Sequence, residues 1–188
     1  MGSRSNGRRP RPPLNPSSLD ELALRYVGKY ATTQAKLRAY LARKIKERGW
    51  EGESDPDLEA LGSRLAALGY VDDAAYAMAK SRSLSSRGYG KRRLSVTLRL
   101  AGVGDPDSIA ASAHAEAEAV NAALRFAERR RFGPFANAPA DRAIREKWIA
   151  AMVRAGHGFA LARAIASLEP GCDIDLDQLW DTTRFIDA

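Results

Sequence analysis

Gly88-Tyr89-Gly90-Lys91-Arg92 carries the glycine-lysine pair of a phosphate-binding loop, whose chemistry is to wrap backbone N–H groups around the phosphates of a nucleotide. The full pattern also needs Gly at position 85 and Ser or Thr at position 92, where Ser85 and Arg92 stand. No nucleotide site is therefore expected. Asp72-Asp73 offers two carboxylates, but adjacent residues at a helix start do not face each other, and capping of free N–H groups is the ordinary use of Asp there. His114 lies in an alanine-rich stretch and His157 in a glycine turn, with no serine, cysteine or carboxylate spaced to pair with either as nucleophile and base. Cys172 is the only cysteine, so neither an internal disulfide nor the ligand spacing of a structural zinc or haem site is present. The expectation is a protein without catalysis, metal or cofactor.

What the chain has instead is unevenly placed charge. Its 188 residues, 45% hydrophobic, hold 30 Lys and Arg against 23 Asp and Glu. Residues 25–50 contain Arg25, Lys29, Lys36, Arg38, Arg43, Lys44, Lys46 and Arg48 against the single acid Glu47. Between Ala74 and Gly104 there is no acid at all, while Lys80, Arg82, Arg87, Lys91, Arg92, Arg93 and Arg99 are present. A single charge run is ordinarily a solvated helix face. Two acid-poor segments in one chain are harder to explain that way, because like charges repel unless an anion compensates them, and nucleic-acid phosphates do so with release of counterions. After residue 168 the balance reverses, with Glu169, Asp173, Asp175, Asp177, Asp181 and Asp187 against Arg184.

No apolar run approaches the ~18 residues that cross a bilayer, and the basic N-terminus leads into prolines rather than an apolar segment. A cytoplasmic chain with no membrane partner is expected. Residues 1–17, with Arg4, Arg8, Arg9 and Arg11 among prolines and no acid, read as a disordered tail.

From there on the apolar spacing is helical, and no stretch alternates with the period of a strand. The predicted class is all-α. Ser18-Leu19-Asp20-Glu21 has the form of a capping box opening a helix that ends near Tyr30. Thr32 or Thr33 caps a second helix bearing Leu37, Tyr40, Leu41 and Ile45, stopped at Gly49. Asp55-Pro56 opens a third that ends at Gly69, and Asp72 or Asp73 a fourth that breaks at Gly88-Tyr89-Gly90. The next helix ends at Gly102, and Asp105-Pro106 leads into an alanine-rich stretch divided near residues 114–118. Helices over about 140–155 and 157–168 follow.

An internal repeat organises these elements. Leu41, Ile45 and Gly49 correspond to Leu94, Leu98 and Gly102, and again to Trp148, Met152 and Gly156, each as apolar-x3-apolar-x3-Gly. Each glycine would end the middle helix of a three-helix unit. The chain is thus expected to be an elongated tandem array of three three-helix repeats, over 18–70, 71–116 and 117–169, followed by an acidic segment over 170–188.

Within the second repeat the order of residues becomes specific. Gly69-Tyr70-Val71-Asp72-Asp73-Ala74-Ala75-Tyr76-Ala77 is followed by Arg82-Ser83, by Arg87-Gly88-Tyr89-Gly90-Lys91-Arg92-Arg93-Leu94, and by Leu98-Arg99-Leu100-Ala101-Gly102-Val103. This resembles the RecX family of regulatory proteins, with its Gly-Tyr-apolar-Asp-Asp start, basic helix, Gly-x-Gly break and Leu-Arg-x-x-Gly-apolar ending. Outside this stretch the likeness rests on the three-unit period, the basic first repeat and the run Arg129-Arg130-Arg131-Phe132-Gly133. Val96 and Thr97 stand where the family usually has polar and acidic residues, and Ala101 where it often has a basic one, which predicts that this face packs against a neighbouring repeat.

The resemblance implies a non-enzymatic regulator of DNA recombination, repair and the SOS response. Such a protein lies in the groove of the RecA filament on DNA and inhibits ATP hydrolysis and strand exchange. The implied partners are the RecA filament and, mainly through it, DNA, with a monomer as the default state. The expected contact set is Arg82, Arg87, Lys91, Arg92, Arg93 and Arg99, with Arg43, Lys44 and Arg48 second. Two rival readings compete with it: a helix-turn-helix transcription regulator, since the helix pairs joined at Gly49, Gly102 and Gly156 could pose as that motif, and a helical adaptor with no nucleic acid nearby.

Overall fold

The computed structural model describes residues 11–184. Among these residues it is all-helical, with ten α-helices and no strand beyond one isolated bridge between Leu14 and Trp50. The chain divides into two compact units, residues 1–73 and 74–188.

The first unit holds α1 (Pro16–Val27), α2 (Gln34–Arg48) and α3 (Leu58–Ala67). Leu19, Ala23, Leu37, Leu41, Leu61, Leu65 and Val71 form its core, so the apolar stripe of each helix is what holds the three together. Thr33 caps α2 by accepting from Lys36 N, and Gly49 closes the helix at φ 87°. A second acceptor reaches the same helix start from far along the chain. The Asp73 carboxylate takes the N–H of Gln34 at 3.0 Å, so one of the two aspartates expected to cap the fourth helix serves the start of α2.

Gly104 rather than Asp105 stands at the N-cap of the helix that Asp105-Pro106 opens, and two further helix starts differ from those expected. Asn15, not Ser18, is the N-cap of α1; Ser18 supplies the reciprocal half of the box, and Pro16 occupies the first helical turn. Asp57, not Asp55, caps α3 by accepting from Ala60 N. In both cases several cap-competent residues lie within a few positions, and packing of the helix chooses among them.

The expected N-terminal tail also needs correction. Residues 1–10 lie outside the described residues, but residues 11–15 are tied down: Leu14 is fully buried and its backbone bonds Gly49 O and Glu51 N. The Arg48 guanidinium donates two hydrogen bonds to Pro12 O, at 2.9 and 2.8 Å. One apolar side chain with a core to enter outweighs a composition that otherwise favours disorder. Arg48→Ala is expected to lower the stability of this unit by about 1 kcal/mol and to raise amide exchange at Leu14 and Glu51, measurable by urea denaturation and hydrogen exchange.

The second unit begins with α4 (Asp73–Ser86), α5 (Lys91–Leu100) and α6 (Asp105–Ala117), whose core is Tyr76, Ala77, Leu84, Leu94, Leu98, Ala101, Ala111 and Ala115. It continues with α7 (Ala119–Arg130), a 3₁₀ turn at Gly133–Phe135, α8 (Arg142–Arg154), α9 (Phe159–Ser167) and α10 (Leu176–Arg184). Gly102 and Gly156 end α5 and α8 at φ 70° and 98°, as Gly49 ends α2. The acidic C-terminal segment is not separate from this unit: Leu179 is buried with Val120, Phe126, Met152 and Ile165, and Ile174 and Trp180 pack on the same cluster.

The expectation for α5 divides. Ala101 is buried, whereas Val96 is 40% exposed and Leu100 81%. They face outward because Leu94 and Leu98 define the inner side, and residues two or six positions away fall on the other.

Candidate functional site

Tyr89, between α4 and α5, organises the basic residues of the second unit. The Arg87 and Arg93 guanidinium groups stand 5.6 and 5.9 Å from the centre of its ring, within the range of a cation–π contact. Arg87 Nε also donates to Ser83 O at 3.1 Å, and its own carbonyl accepts from Arg129. Lys91 forms an ion pair with Glu116 at 3.0 Å. Arg82, Arg92 and Arg99 are exposed and have no ion pair among the described residues. Arg92 and Arg99, seven positions apart, lie on one face of α5 together with Val96 and Leu100. That outward stripe is both cationic and apolar, a feature missed by a reading based on charge alone.

The start of α5 is held by backbone rather than by a cap. Gly90, its N-cap, has no side chain to offer; instead Gly90 N donates to Ala155 O at 3.1 Å and Arg92 N to Gly156 O at 3.2 Å. These bonds place the first turn of α5 against the turn between α8 and α9. His157 completes the joint. Its Nε2–H donates to Gly88 O at 3.0 Å, since the carbonyl can only accept, and the ring packs 5.7 Å from Phe126. Burial pushes the imidazole pKa down to about 4, against a smaller upward effect of the bond to Gly88. Lys91, Arg92, Ser95 and Thr183 line a cleft of about 250 Å³ beside this joint.

The secondary set lies in the first unit and is more heavily engaged. Arg43 and Lys44 both reach Glu47, at 3.6 and 2.5 Å, and both approach the Tyr40 ring. The Glu47 carboxyl is held below its ordinary value, first by the hydrogen bond from Lys44 and then by nearby positive charge. Arg48 is occupied by Pro12. Arg43 remains at the surface, Lys44 is half-buried, and Arg48 has a structural contact.

His114, read as unpaired from the sequence, has a partner after all. Ser81 Oγ donates to Ala111 O at 2.8 Å and lies 3.0 Å from His114 Nδ1. Ser81 is fully buried, so the pair joins α4 to α6 and presents no hydroxyl to a substrate. Among the described residues no group of His, Cys, Asp and Glu could hold a metal, and no helix is long and apolar enough to cross a membrane.

No family model matches the chain. Individual proteins do. It is 35% identical over 173 residues to the regulatory protein RecX of Myxococcus xanthus, covering 87% of this chain and 91% of that one. To the regulatory protein RecX of Agrobacterium fabrum it is 30% identical over 140 residues, covering 72% and 74%. Its fold is similar to the crystal structure of RecX from Lactobacillus salivarius, with TM-score 0.58 and 17% identity over 79% of this chain and 92% of that one. A second crystal structure of a regulatory protein RecX matches with TM-score 0.55 and 20% identity, over 80% and 72%.

Proposed function

The chain belongs to the RecX family of regulatory proteins, and from that membership we propose that it is a non-enzymatic, cytoplasmic regulator that binds the RecA filament on DNA and inhibits its ATPase and strand-exchange activities. The observation that carries this reading is the outward face of α5, where Arg92 and Arg99 alternate with Val96 and Leu100. A surface that met only phosphate would gain nothing from exposed Leu and Val, whereas a nucleoprotein polymer offers protein surface and phosphate charge side by side. In this reading the helix triplets α1–α3, α4–α6 and α7–α9 are three recurring units that meet recurring protomers, and DNA is contacted mainly through the filament.

The test is to titrate the full chain into RecA assembled on single-stranded DNA and follow ATP turnover. Turnover is expected to fall at sub-stoichiometric protein, and unchanged turnover up to equimolar protein would overturn the reading. The double variant Arg92→Glu, Arg93→Glu is expected to weaken inhibition roughly tenfold or more, because it reverses charge where the partner's potential is complementary. Its helicity should be unchanged: the joint uses the backbone N–H of Arg92, and acids in a first turn favour a helix. Full inhibition by this variant would remove the segment from the contact surface.

A further inference from the structure

We propose that the tyrosine cluster between α1 and α2 is a platform for single-stranded nucleic acid, stacking an unpaired base on Tyr30 while the phosphates run along Lys29, Lys36 and Arg43. The site goes beyond the filament reading, since it would bind the strand directly.

Three rings meet here. Tyr26 and Tyr40 are stacked with centres 4.0 Å apart and planes 16° from parallel, and Tyr30 tilts against Tyr26 at 5.2 Å. Packing of α1 on α2 accounts for Tyr26 and Tyr40, which lie half-buried against the first unit's core. It does not account for Tyr30, which follows the end of α1, lies outside that core and is 50% exposed. An aromatic ring left half in water beside two others is surface on which a further flat ring can stack.

Cations surround the rings. Lys29 stands 5.5 Å from the centre of Tyr30, and Arg43 and Lys44 stand 5.7 and 5.8 Å from that of Tyr40. The groove between them, about 410 Å³, is lined by Tyr26, Tyr30, Lys36, Ala39, Tyr40 and Arg43. None of these residues is acidic, so nothing in the groove repels phosphate. Glu47, the one acid of residues 25–50, is engaged by Arg43 and Lys44 rather than lining the groove.

This combination selects among anions. A duplex would satisfy the cations but keeps its base faces stacked on one another, leaving the rings unused. An acidic protein surface would likewise meet the charge without a π-face for Tyr30. A single strand supplies both, because every unpaired base presents a flat face next to a phosphate.

The experiment is fluorescence anisotropy of a labelled oligo(dT) of about 16 nucleotides, titrated with the full chain at low salt and without recombinase. Tyr30→Ala is expected to weaken binding between about fivefold and 150-fold, the range that removal of one base–aromatic stack covers. Tyr30→Phe should bind as the parent does, because stacking needs the ring and not the hydroxyl. Replacing Lys29 and Arg43 together by Gln should flatten the salt dependence, by roughly 0.7 in log–log slope for each phosphate no longer neutralised. Unchanged oligo(dT) affinity in Tyr30→Ala would overturn the proposal, as would an equal weakening against duplex and single strand. If Tyr30→Ala weakened only binding to the RecA filament, the platform would be a protein contact and the proposal would fail. Weaker oligo(dT) binding in Tyr30→Ala, with RecA turnover untouched by the parent chain, would uphold this site and reject the filament reading.

Discussion

Gly90→Ala is expected to destabilise the second unit by about 4 kcal/mol or more, an effect of the size reserved for a change that packing cannot absorb. A methyl group at position 90 would stand 2.6 Å from His157 N and closer still to the carbonyl of Gly156. Both are backbone atoms and neither can rotate aside. To make room the first turn of α5 must leave the α8–α9 turn, and the bonds from Gly90 N to Ala155 O and from Arg92 N to Gly156 O go with it. Gly156→Ala should behave alike for two reasons: its methyl would meet Arg93 N at 2.5 Å, and its φ of 98° is one that residues with a Cβ rarely adopt. Gly104→Ala is the control. Its φ is −72° and its nearest neighbour would be 3.8 Å away, so the methyl meets no clash; Ala is a poorer N-cap than Gly but restricts the unfolded chain, and the net change is expected to stay within about 1 kcal/mol. Urea denaturation of the three variants gives the comparison, and a destabilisation of under about 1 kcal/mol for Gly90→Ala would mean that the joint yields to an added methyl. Because α5 carries Lys91, Arg92, Arg93 and Arg99, the same variant should also weaken any function of that helix.

Acid should open the same joint. The His157 imidazole titrates at about 4 in the folded chain against an ordinary value of 6.5, so between those values the unfolded chain binds the extra proton. Its contribution to stability is complete above pH 6.5 and is lost as pH falls toward 4, amounting to about 3 kcal/mol across the window. The cause is burial: a charged ring beside Phe126 has lost its water, and the single bond to Gly88 O does not replace it. Carboxylates titrate in the lower part of this range, so the informative quantity is the difference between the parent and His157→Gln, which retains a donor but no titrating group. The parent should lose stability more steeply than the variant from pH 6.5 to 4. Parallel pH profiles would show that His157 takes up its proton without cost. Above pH 7 the two profiles should run together, since the imidazole is neutral in both folded and unfolded parent chains.

The helices and their order could be read in the residues because each depends on neighbours a few positions away. Of the apolar pairs that recur at helical spacing before a glycine, Leu41, Leu94, Leu98 and Met152 are buried, and Ile45 and Trp148 are half-buried. The resemblance to the RecX family likewise rested on a contiguous run, Gly69 to Val103, and relatives of that name cover most of the chain. Helix starts were less legible where acceptors crowd together, as at Asn15 against Ser18 and at Asp57 against Asp55, since local chemistry permits each of them.

The basic segments were visible as composition, but composition could not say which cations were engaged. Arg48 and Arg92 look alike in the sequence; one is held to Pro12 O and the other stands exposed without an ion pair among the described residues. Tyr26, Tyr30 and Tyr40 could be assigned to helix faces, yet their meeting depends on α1 lying against α2. Ser81 finds His114 33 residues along the chain, and His157 finds Gly88 69 residues back.

By itself, then, the order of residues determined the placement of charge, the family likeness and the helices up to α9 with their glycine stops, the helices because they follow from interactions within a turn or two of the chain; the helix α10 in the acidic segment was not among those expected. Only the tertiary structure decided that Gly90 and Gly156 touch, that His157 is buried neutral, and that Leu14 joins a core. Those facts depend on which distant backbones approach within hydrogen-bond reach, and no local spacing encodes that distance.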